Sequence, residues 1–391
     1  MLKNLPQLEA DPLWELLHQF NADQRAGKID LIVGVYRDES GKTPVMQVVQ
    51  QAELQLANKA ESKAYKQLSG NTQFNNQIAQ FLLGDHQKRD SQCTIQTVGG
   101  SGALRILADF IALASPNAVI WNTDPGYINH RPIMEAAGLI VKPFCWQQKH
   151  GELDSDACFT DLENAREGDI ILLHGCCHNP SGIDPTLAQW QEFALFCKRK
   201  GIIPLIDMAY QGFGDSPDQD AAGLRLFIDQ LDLVLIAASC SKNMGLYCER
   251  TGAAMIVIDN QEQLYNIRNI LERITRSNYS MPPEHGAAIA SHLFANPAPW
   301  FDELSACRER INQTRQELGE VFQTLNAPSS LQAVSQQKGM FSLLPLSAEQ
   351  MLILRDKFAI YGTSNGRINI AGLQKAQIKT LAEALLYVIK A

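Results

Sequence analysis

The sequence lacks the cysteine spacings that hold structural metals or build a disulfide framework. Its nine cysteines, an odd number, include no CxxC pair and no zinc-type spacing. No apolar run approaches the length of a membrane span, and the opening residues MLKNLPQLEA contain no apolar core of a secretory leader. These absences predict a cytoplasmic protein in a reducing setting, with no membrane partner.

A surplus of basic residues is also missing. Lys and Arg total 34 against 42 Asp and Glu, so the formal net charge is −8. Because a surface that binds nucleic acid needs positive charge against the phosphates, nucleic acid is excluded as the main partner. A locally basic pocket for a small anion stays compatible with this balance.

Internal repeats, low-complexity tracts and long linkers are absent as well. The 391 residues exceed what one hydrophobic core usually organises. The length therefore predicts two domains, or one large domain with an appendage.

Apolar runs of strand length alternate with helical patterns such as 103–114 and 187–201, which predicts an α/β fold. A mostly parallel sheet covered on both faces accounts for strands that are apolar throughout. A long helix near 301–326 precedes a mixed tail, which suggests a smaller C-terminal domain joined by an N-terminal helix at 11–28. The runs predicted as strands are VIWN (119–122), IILL (170–173), IIPLID (202–207), LVLIAA (233–238) and AAMIVI (253–258).

Glycines follow the extended segment before the helix at 103–114. Gly100, Ser101 and Gly102 would leave backbone N–H groups free at the positive end of that helix, where anions bind. Such a turn can equally be turn chemistry alone. The segment does not match GxxxxGK[ST], so a P-loop is excluded.

Two more polar groups follow predicted strands. Asp207, after IIPLI, either caps the next turn or places a carboxylate against a cationic ring nitrogen. HGCCHNPSG brings His174, His178 and Asn179 to another strand end. Its His and Cys residues invite a metal interpretation, but adjacent residues on a strand point to opposite faces, so no metal is predicted. The vicinal cysteines at 176–177 are interpreted as a packed element.

Lys242 is the last of these polar residues, and it follows closely after the predicted buried strand LVLIAA. Burying an ammonium is costly unless the charge is paired or neutralised. An amine that forms a Schiff base, a strand-end carboxylate for a ring nitrogen and an anion cradle are what pyridoxal 5'-phosphate requires. Lys242, Asp207 and the glycine turn supply these three elements in one chain.

The chain resembles the fold-type I pyridoxal-phosphate aminotransferases, in the aspartate and aromatic amino acid branch of class I. The resemblance runs nearly from end to end and implies a large domain with a mostly parallel sheet plus a smaller α/β domain. The segments that carry it are GVYRDESGKTPV (34–45), GGSGALR (99–105), HGCCHNPSGIDP (174–185), DMAYQGF (207–213), SCSKNMGLYCERTG (239–252), RSNYSMPPEHGA (276–287) and NGRINIAGL (365–373).

The resemblance assigns the catalytic and cofactor-binding roles. Lys242 would carry the cofactor and move the Cα proton, Asp207 would pair with the pyridine nitrogen, and Tyr210 with Asn179 would bond the ring's phenolate oxygen. His130 and His174 would support the Asp207 side of the ring. The remaining cofactor-binding residues would be the phosphate ligands Gly100, Ser101, Ser239 and Arg250, the ring-stacking Tyr127, and Tyr65 from the partner subunit.

Substrate binding is assigned in the same way. Arg367 would bind the α-carboxylate and Arg276, reaching across a dimer interface, a distal carboxylate, because the planar guanidinium fits a carboxylate bidentately. Gly34, Tyr127 and Asn179 would complete the substrate site. The expected reaction transfers an amino group from aspartate, glutamate or an aromatic amino acid to a 2-oxo acid by a ping-pong mechanism. The expected assembly is a homodimer with shared active sites.

Three residues depart from the family's usual pattern. Tyr127 stands where a tryptophan usually stacks on the ring, Met281 replaces the asparagine of SNPP, and Ile32 replaces a glycine. All three changes could bias the pocket toward larger or more apolar side chains, or reflect neutral drift. Dicarboxylic and aromatic substrates therefore both stay open.

Two other functions are compatible with parts of the pattern. A pyridoxal-dependent lyase or synthase on the same fold would keep Lys242, Asp207 and Arg367 but has no evident need of Arg276. A cofactor-sensing regulator would need an added DNA-binding domain, and the motifs begin by residue 34. The predicted domain bounds are 1–36 for an N-terminal segment, 37–300 for the large domain and 301–391 for the small domain.

Overall fold

The computed structural model describes residues 5, 10–149 and 152–390. The chain divides into two compact units. We call Pro44–Arg310 the central unit, and the residues up to Thr43 together with those from Ile311 onward the terminal unit. The domain bounds at 36/37 and 300/301 stay a prediction.

Helices and strands alternate along the chain. The helices are α1 (Pro12–Ala22), α2 (Gln47–Lys59), α3 (Thr72–Leu83), α4 (Gly99–Ala114), α5 (His130–Ala136), α6 (Ser155–Leu162), α7 (Leu187–Lys200), α8 (Ala222–Gln230), α9 (Leu264–Asn278), α10 (Glu284–Ala295), α11 (Pro297–Thr324), α12 (Ser329–Gln332), α13 (Ala348–Phe358) and α14 (Ile378–Lys390). The strands are β1 (Ile29–Asp30), β2 (Gln92–Val98), β3 (Val119–Asp124), β4 (Ile140–Cys145), β5 (Gln148–Lys149), β6 (Glu152–Leu153), β7 (Ile170–His174), β8 (Ile203–Met208), β9 (Leu233–Ser239), β10 (Thr251–Ile258), β11 (Phe341–Leu343), β12 (Ile360–Tyr361) and β13 (Arg367–Asn369).

A seven-stranded sheet organises the central unit, in the order β2-β10-β9-β8-β7-β3-β4. Neighbours run parallel except at β10, which is antiparallel to both β9 and β2. The predicted strands are confirmed as β3, β7, β8, β9 and β10. The prediction of a mostly parallel α/β sheet is therefore confirmed.

The main core of the central unit lies between the sheet and helices α4, α5 and α9. Alternate strand residues such as Leu205, Leu235 and Ile256 pack there against Leu107 and Leu271. Period-2 alternation sends the intervening strand residues to the other face. This burial on both faces leaves the strand ends as the place where polar side chains can gather.

Short strand pairs characterise the terminal unit. β1 pairs in parallel with β12, and β11 pairs antiparallel with β13. The N-terminal helix predicted at 11–28 is shorter, because α1 ends at Ala22 and Asp23 turns to extended backbone. The Asp23 carboxylate then accepts hydrogen bonds from Arg25 and from the Tyr361 hydroxyl. The helix predicted at 301–326 is α11, at 297–324.

Membrane-spanning helices are not found in the described part of the chain, since no helix there is both long and apolar enough to cross a bilayer.

Candidate active site

Asp207 and His174 lie side by side at the carboxyl end of the sheet. Asp207 is the fifth residue of β8, and the parallel register pairs it with His174, the last residue of β7. Both residues are buried, with 4% and 2% of their surface exposed. Parallel sheets of this kind bind ligands beyond the carboxyl ends of their strands.

His130, the first residue of α5, fixes one side of the Asp207 carboxylate. Its Nε2 donates to Asp207 Oδ2 at 2.9 Å, and its Nδ1 lies 3.3 Å from Asn122 Oδ1. The other oxygen, Asp207 Oδ1, is buried without a hydrogen-bond partner among the described residues. Buried carboxylate oxygens are rarely left so, because an unsatisfied one costs free energy. Oδ1 is thus an acceptor ready for a donor from a ligand.

The surroundings keep Asp207 ionised and His174 neutral. Burial alone would raise the pKa of the Asp207 carboxyl, but the His130 hydrogen bond and nearby positive charge outweigh it and lower that pKa. Burial, assisted by His130, lowers the pKa of His174 to about 3. At neutral pH the site therefore presents one negative charge beside an uncharged imidazole.

Lys242 lies in the turn that follows β9, at the same carboxyl end of the parallel strands. Its Nζ is 4.8 Å from the centroid of the Tyr210 ring. Burial lowers the pKa of Lys242, the Asp207 carboxylate opposes this effect, and the charge of Arg250 adds to it. A lowered pKa increases the fraction of neutral amine, the form that attacks a carbonyl carbon.

Tyr210 and Asn179 form a buried polar pair beside Lys242. Asn179 follows β7, Tyr210 follows β8, and Asn179 Nδ2 donates to the Tyr210 hydroxyl at 3.3 Å. The loop of Lys242 is tied to the loop of Tyr210 by their neighbours, since Asn243 Nδ2 donates to the Gln211 carbonyl at 3.1 Å. The loops that carry the amine and the phenol are therefore joined through these neighbours.

Helix α4 begins earlier than the sequence pattern predicts, so the glycines belong to its first turn. Gly99 has φ +66° and opens the helix, with Gly100, Ser101 and Gly102 following. A Cβ on Gly100 would lie 3.1 Å from Ser239 Cβ, so a larger residue would crowd the neighbouring strand end. The N–H groups of this first turn precede the helix ladder and lie at the positive end of a 16-residue helix, which suits an anion.

Arg250 brings a positive charge to that helix terminus. A Cβ on Gly99 would stand 2.6 Å from Arg250 Nη2, so the guanidinium lies directly against the first turn. Arg250 Nη1 donates to Ser241 Oγ at 3.2 Å and to the Tyr247 carbonyl at 3.0 Å. The antiparallel register of β10 sets this position, because Thr251 pairs with Val98 immediately before Gly99.

Tyr127 lies at the end of a row of five rings that runs through the site. Its ring meets His130 edge-on at 5.1 Å, His130 lies 4.8 Å from His174, and His174 meets His178 edge-on at 4.8 Å. His178 in turn stacks on Trp146 at 4.7 Å. His178 also contacts Ser181 and Thr123 through its two ring nitrogens, and burial lowers its pKa well below the usual range.

Tyr65 and Arg276 are not brought to the other predicted site residues by any contact described for this chain. Tyr65 is 94% exposed, and Arg276 is exposed in the last turn of α9. Both side chains are therefore accessible for contact with another molecule.

Arg367 and Gly34, both predicted for substrate binding, belong to the terminal unit. Arg367 is buried in β13, and its Nη2 donates to the Ile32 carbonyl at 2.9 Å. Its Cζ lies 4.7 Å from the centroid of the Phe341 ring. Of the residues that depart from the family pattern, Ile32 is fully buried, whereas Met281 is half-buried after α9.

The vicinal cysteines do not lie on a strand with His174, so that part of the sequence interpretation is wrong. β7 ends at His174, and Cys176 and Cys177 follow in the turn, where they cluster with Asp220. Asp220 accepts N–H groups from Gly212, Gly214 and Asp215. A hydrogen bond with Cys177 and burial raise the pKa of the Cys176 thiol well above its usual value. A protonated thiol beside a fully engaged carboxylate fits a packed element.

Sequence reasoning missed several residues that shape these groups. Asn122 was hidden within an apolar strand, and Phe341 carries no chemistry of its own. Ser241 could have been found, because a small hydroxyl next to the candidate Schiff-base lysine is a natural partner for Arg250, the arginine expected to bind phosphate.

The residues present fit the cofactor that the resemblance implies. A protonated pyridine nitrogen would satisfy the buried oxygen Asp207 Oδ1. A phosphate group would suit the first turn of α4 with Arg250 beside it, and Lys242 would supply the amine. The ring nitrogen, the phosphate and the aldehyde of the cofactor would thus each find a matching group in the chain.

Comparisons with known proteins agree with this geometry. The chain matches the family model for aminotransferase class I and II over residues 26–385. It is 39% identical to the aspartate aminotransferase of Escherichia coli K12, with 100% of both chains covered. It is 40% identical to the aromatic-amino-acid aminotransferase of Paracoccus denitrificans, over 99% of this chain and 100% of that one.

Solved structures give the same result. An aromatic amino acid aminotransferase with 3-indolebutyric acid superposes with a TM-score of 0.96 at 40% identity, over 99% of this chain and 100% of that one. The aromatic-amino-acid aminotransferase of Burkholderia pseudomallei, covalently bound to pyridoxal phosphate, superposes with a TM-score of 0.95 at 35% identity, over 99% of both chains. The chain therefore belongs to the class I and II aminotransferases.

Proposed function

We propose that this protein is a pyridoxal-phosphate-dependent aminotransferase for aspartate, glutamate or aromatic amino acids, with a 2-oxo acid as acceptor. The observation that carries the proposal is that Lys242, Asp207 Oδ1 and the first turn of α4 all lie at the carboxyl ends of the parallel strands. The relatives support it, since the similar proteins carry the names of aspartate and aromatic-amino-acid aminotransferases. Transfer proceeds in two half-reactions, first from the amino acid and then to the oxo acid.

When bound, pyridoxal phosphate supplies an electron sink that stabilises negative charge at the substrate Cα. Asp207 holds the ring nitrogen in its protonated form, because its carboxylate stays ionised beside His130. Lys242 Nζ would supply the amine that holds the cofactor, and as a neutral base it would take the proton from the substrate Cα. The lowered pKa of Lys242 suits both tasks, since each requires a neutral amine at neutral pH.

Tyr210 and Asn179 orient the ring through its phenolate oxygen. Their polar groups meet at 3.3 Å and are buried, which supports their assignment as the pair that would bond this oxygen. Tyr127 offers an aromatic face to the ring and to the substrate. Gly100, Ser101, Ser239 and Arg250 bind the phosphate.

We assign Tyr65 and Arg276 to the active site of a partner subunit. The exposure of Tyr65, at 94%, and of Arg276 supports this assignment, because neither side chain contacts the cofactor-site residues described in its own chain. The competent species is then a homodimer with shared active sites. The proposed setting is the cytoplasm.

Arg367 binds the α-carboxylate of every substrate, and Arg276 a distal carboxylate when there is one. Met281, close to Arg276 along the chain, replaces a polar amide by an adaptable apolar side chain that also tolerates aromatic substrates. Relatives of both kinds resemble this chain equally, which supports a broad range.

A half-reaction panel tests this function. Each amino acid is mixed with the yellow cofactor-loaded enzyme, and conversion to the amine form of the cofactor is followed by absorbance. Conversion by aspartate and glutamate far faster than by aromatics makes Arg276 a dicarboxylate clamp. Comparable or faster conversion by phenylalanine, tyrosine or tryptophan makes the enzyme an aromatic aminotransferase. Conversion by none of them overturns the proposed substrates.

A further inference from the structure

The guanidinium of Arg367 is a buried charge whose surroundings fix its orientation. Only 8% of Arg367 is exposed, so each direction in which its planar fork points is set by protein contacts. One N–H edge is engaged, because Nη2 donates to the Ile32 carbonyl at 2.9 Å. A contact against the flat face of the fork would add to this hydrogen bond in fixing the guanidinium plane.

Phe341 holds the face. The Arg367 Cζ lies 4.7 Å from the centroid of the Phe341 ring, and Phe341 is 2% exposed. A guanidinium over a desolvated aromatic face is attracted by the ring's quadrupole. In the antiparallel register Phe341 pairs with Asn369 and Leu343 pairs with Arg367, so Phe341 and Arg367 are diagonal neighbours on one face of the strand pair.

Gly34 makes the position of that ring possible. A Cβ at residue 34 would stand 2.4 Å from Phe341 Cζ, at the tip of the ring, so a larger residue must displace it. The backbone around Gly34 cannot retreat easily. Asn369 Nδ2 donates to the Val33 carbonyl at 2.7 Å and to the Val35 carbonyl at 2.8 Å, on either side of the glycine.

We propose that Phe341 is a positioning residue for α-carboxylate recognition, and that Gly34 is required to seat its ring. Phe341 orients the Arg367 fork for a carboxylate, and Gly34 gives the ring tip its space. The inference rests on the proposed function, in which Arg367 binds the α-carboxylate. It adds a role to Phe341, which reacts with nothing, and gives Gly34 a role apart from touching substrate.

The first test compares Phe341→Leu with the matched control Phe322→Leu, a fully buried phenylalanine of α11 in the same unit. Steady-state kinetics use the best amino acid of the panel. Calorimetry measures binding of succinate and 3-phenylpropionate, which carry carboxylates but no amine. In Phe341→Leu, KM should rise about tenfold, and so should the Kd of whichever of the two acids the wild type binds. The change in kcat should be much smaller. Phe322→Leu should leave both constants within about twofold of wild type.

Equal shifts in the two variants would mean a general loss of packing and would overturn the inference. An unchanged Kd in Phe341→Leu would do so as well. If that variant does not fold, Phe341→Met replaces it, since methionine fills irregular core space without an aromatic face.

A double-mutant cycle then tests the role of Gly34. Gly34→Ala should weaken acid binding about tenfold in wild type, because the new methyl displaces the ring. It should add less than about twofold to Phe341→Leu, where the shorter side chain leaves room. Additive effects would show that Gly34 acts independently of the ring. If the wild-type protein transaminates no amino acid, the proposed function is wrong. If the wild type is active and the variants keep its KM and Kd, only this inference is wrong.

Discussion

Two regions of the molecule hold a buried charge in different ways. In the central unit, Asp207 lies on a six-residue strand with a parallel neighbour on each side, and its register with His174 places it. In the terminal unit, Arg367 begins a three-residue strand paired on one side only. There, side chains do the positioning: Phe341 contacts the guanidinium face, and Asn369 holds the adjoining backbone.

The difference shows which substitutions each region tolerates. A ladder of backbone hydrogen bonds fixes Asp207 whatever side chains surround it, so its neighbours tune its charge more than its position. Arg367 contacts the Phe341 side chain as well as the Ile32 carbonyl, so changes to nearby side chains can move it. Substitutions that change charge should therefore cause the larger losses of activity in the first region. Substitutions that change side-chain geometry should cause the larger losses in the second.

The largest effect is expected at the amine of the first region. Lys242→Ala should abolish the yellow absorbance of covalently held cofactor and lower multiple turnover by more than about 10⁴-fold, because no other amine takes its two roles. Absorbance spectra and steady-state assays measure this. The exposed Lys198→Ala is the control. Normal turnover in the Lys242 variant would refute the assignment.

Asp207→Asn tests the charge of the same region at nearly constant shape. Turnover should fall roughly 10²- to 10³-fold, because a neutral amide cannot hold the ring nitrogen protonated. The matched control is Asp220→Asn, a buried carboxylate that accepts backbone N–H groups. That variant should lose thermal stability yet keep its turnover per folded enzyme. If the two variants lost activity equally, charge at Asp207 would not be the cause.

Arg367→Lys tests geometry in the second region, because it keeps the charge and removes the fork. KM for amino acids should rise about 10²-fold, since an ammonium can neither bind a carboxylate bidentately nor stack on Phe341 in the same way. Steady-state kinetics measure this, with exposed Arg25→Lys as the control in the same unit. A variant that keeps the wild-type KM would show that charge alone suffices there.

The smallest effect concerns acid stability in the first region. The pKa of His174 is about 3 in the folded protein against an ordinary value of 6.5. Between these values only the unfolded state takes up the proton, so stability falls as the pH falls, by up to about 1.4 kcal/mol per pH unit. His174→Asn should flatten this slope in urea unfolding between pH 7 and pH 5, and exposed His18→Asn should not. An unaltered slope would remove His174 from the acid response.

Much of the first region follows from sequence, whereas little of the second does. Asp207 and His174 each end an apolar run, and adjacent parallel strands bring such ends together. That argument needs only local patterns and one topological rule. The N–H groups of α4 were likewise predicted, although the helix takes in Gly99 to Gly102 and begins earlier than the apolar pattern.

Phe341 could not be inferred, because its contact with Arg367 depends on the pairing of two three-residue strands. Strands that short give no periodic signal. The course of β10 was equally hidden, since an apolar run shows that a strand is buried and does not show its direction. Boundaries set by single polar contacts, such as the end of α1 at Ala22, were missed for the same reason.

The pairing of β2 with β10 has a consequence for how the chain assembles. The paired residues Val98 and Thr251 are about 150 residues apart. During synthesis β2 therefore has no β10 to pair with until most of the central unit has been made. Until then the growing parallel sheet ends at the open edge of β9, which is the strand that β10 later covers. The same late step delivers Arg250 to the first turn of α4. A chain that has not closed this edge exposes unpaired strand groups that favour aggregation, and it lacks Arg250 at the helix terminus proposed to bind phosphate.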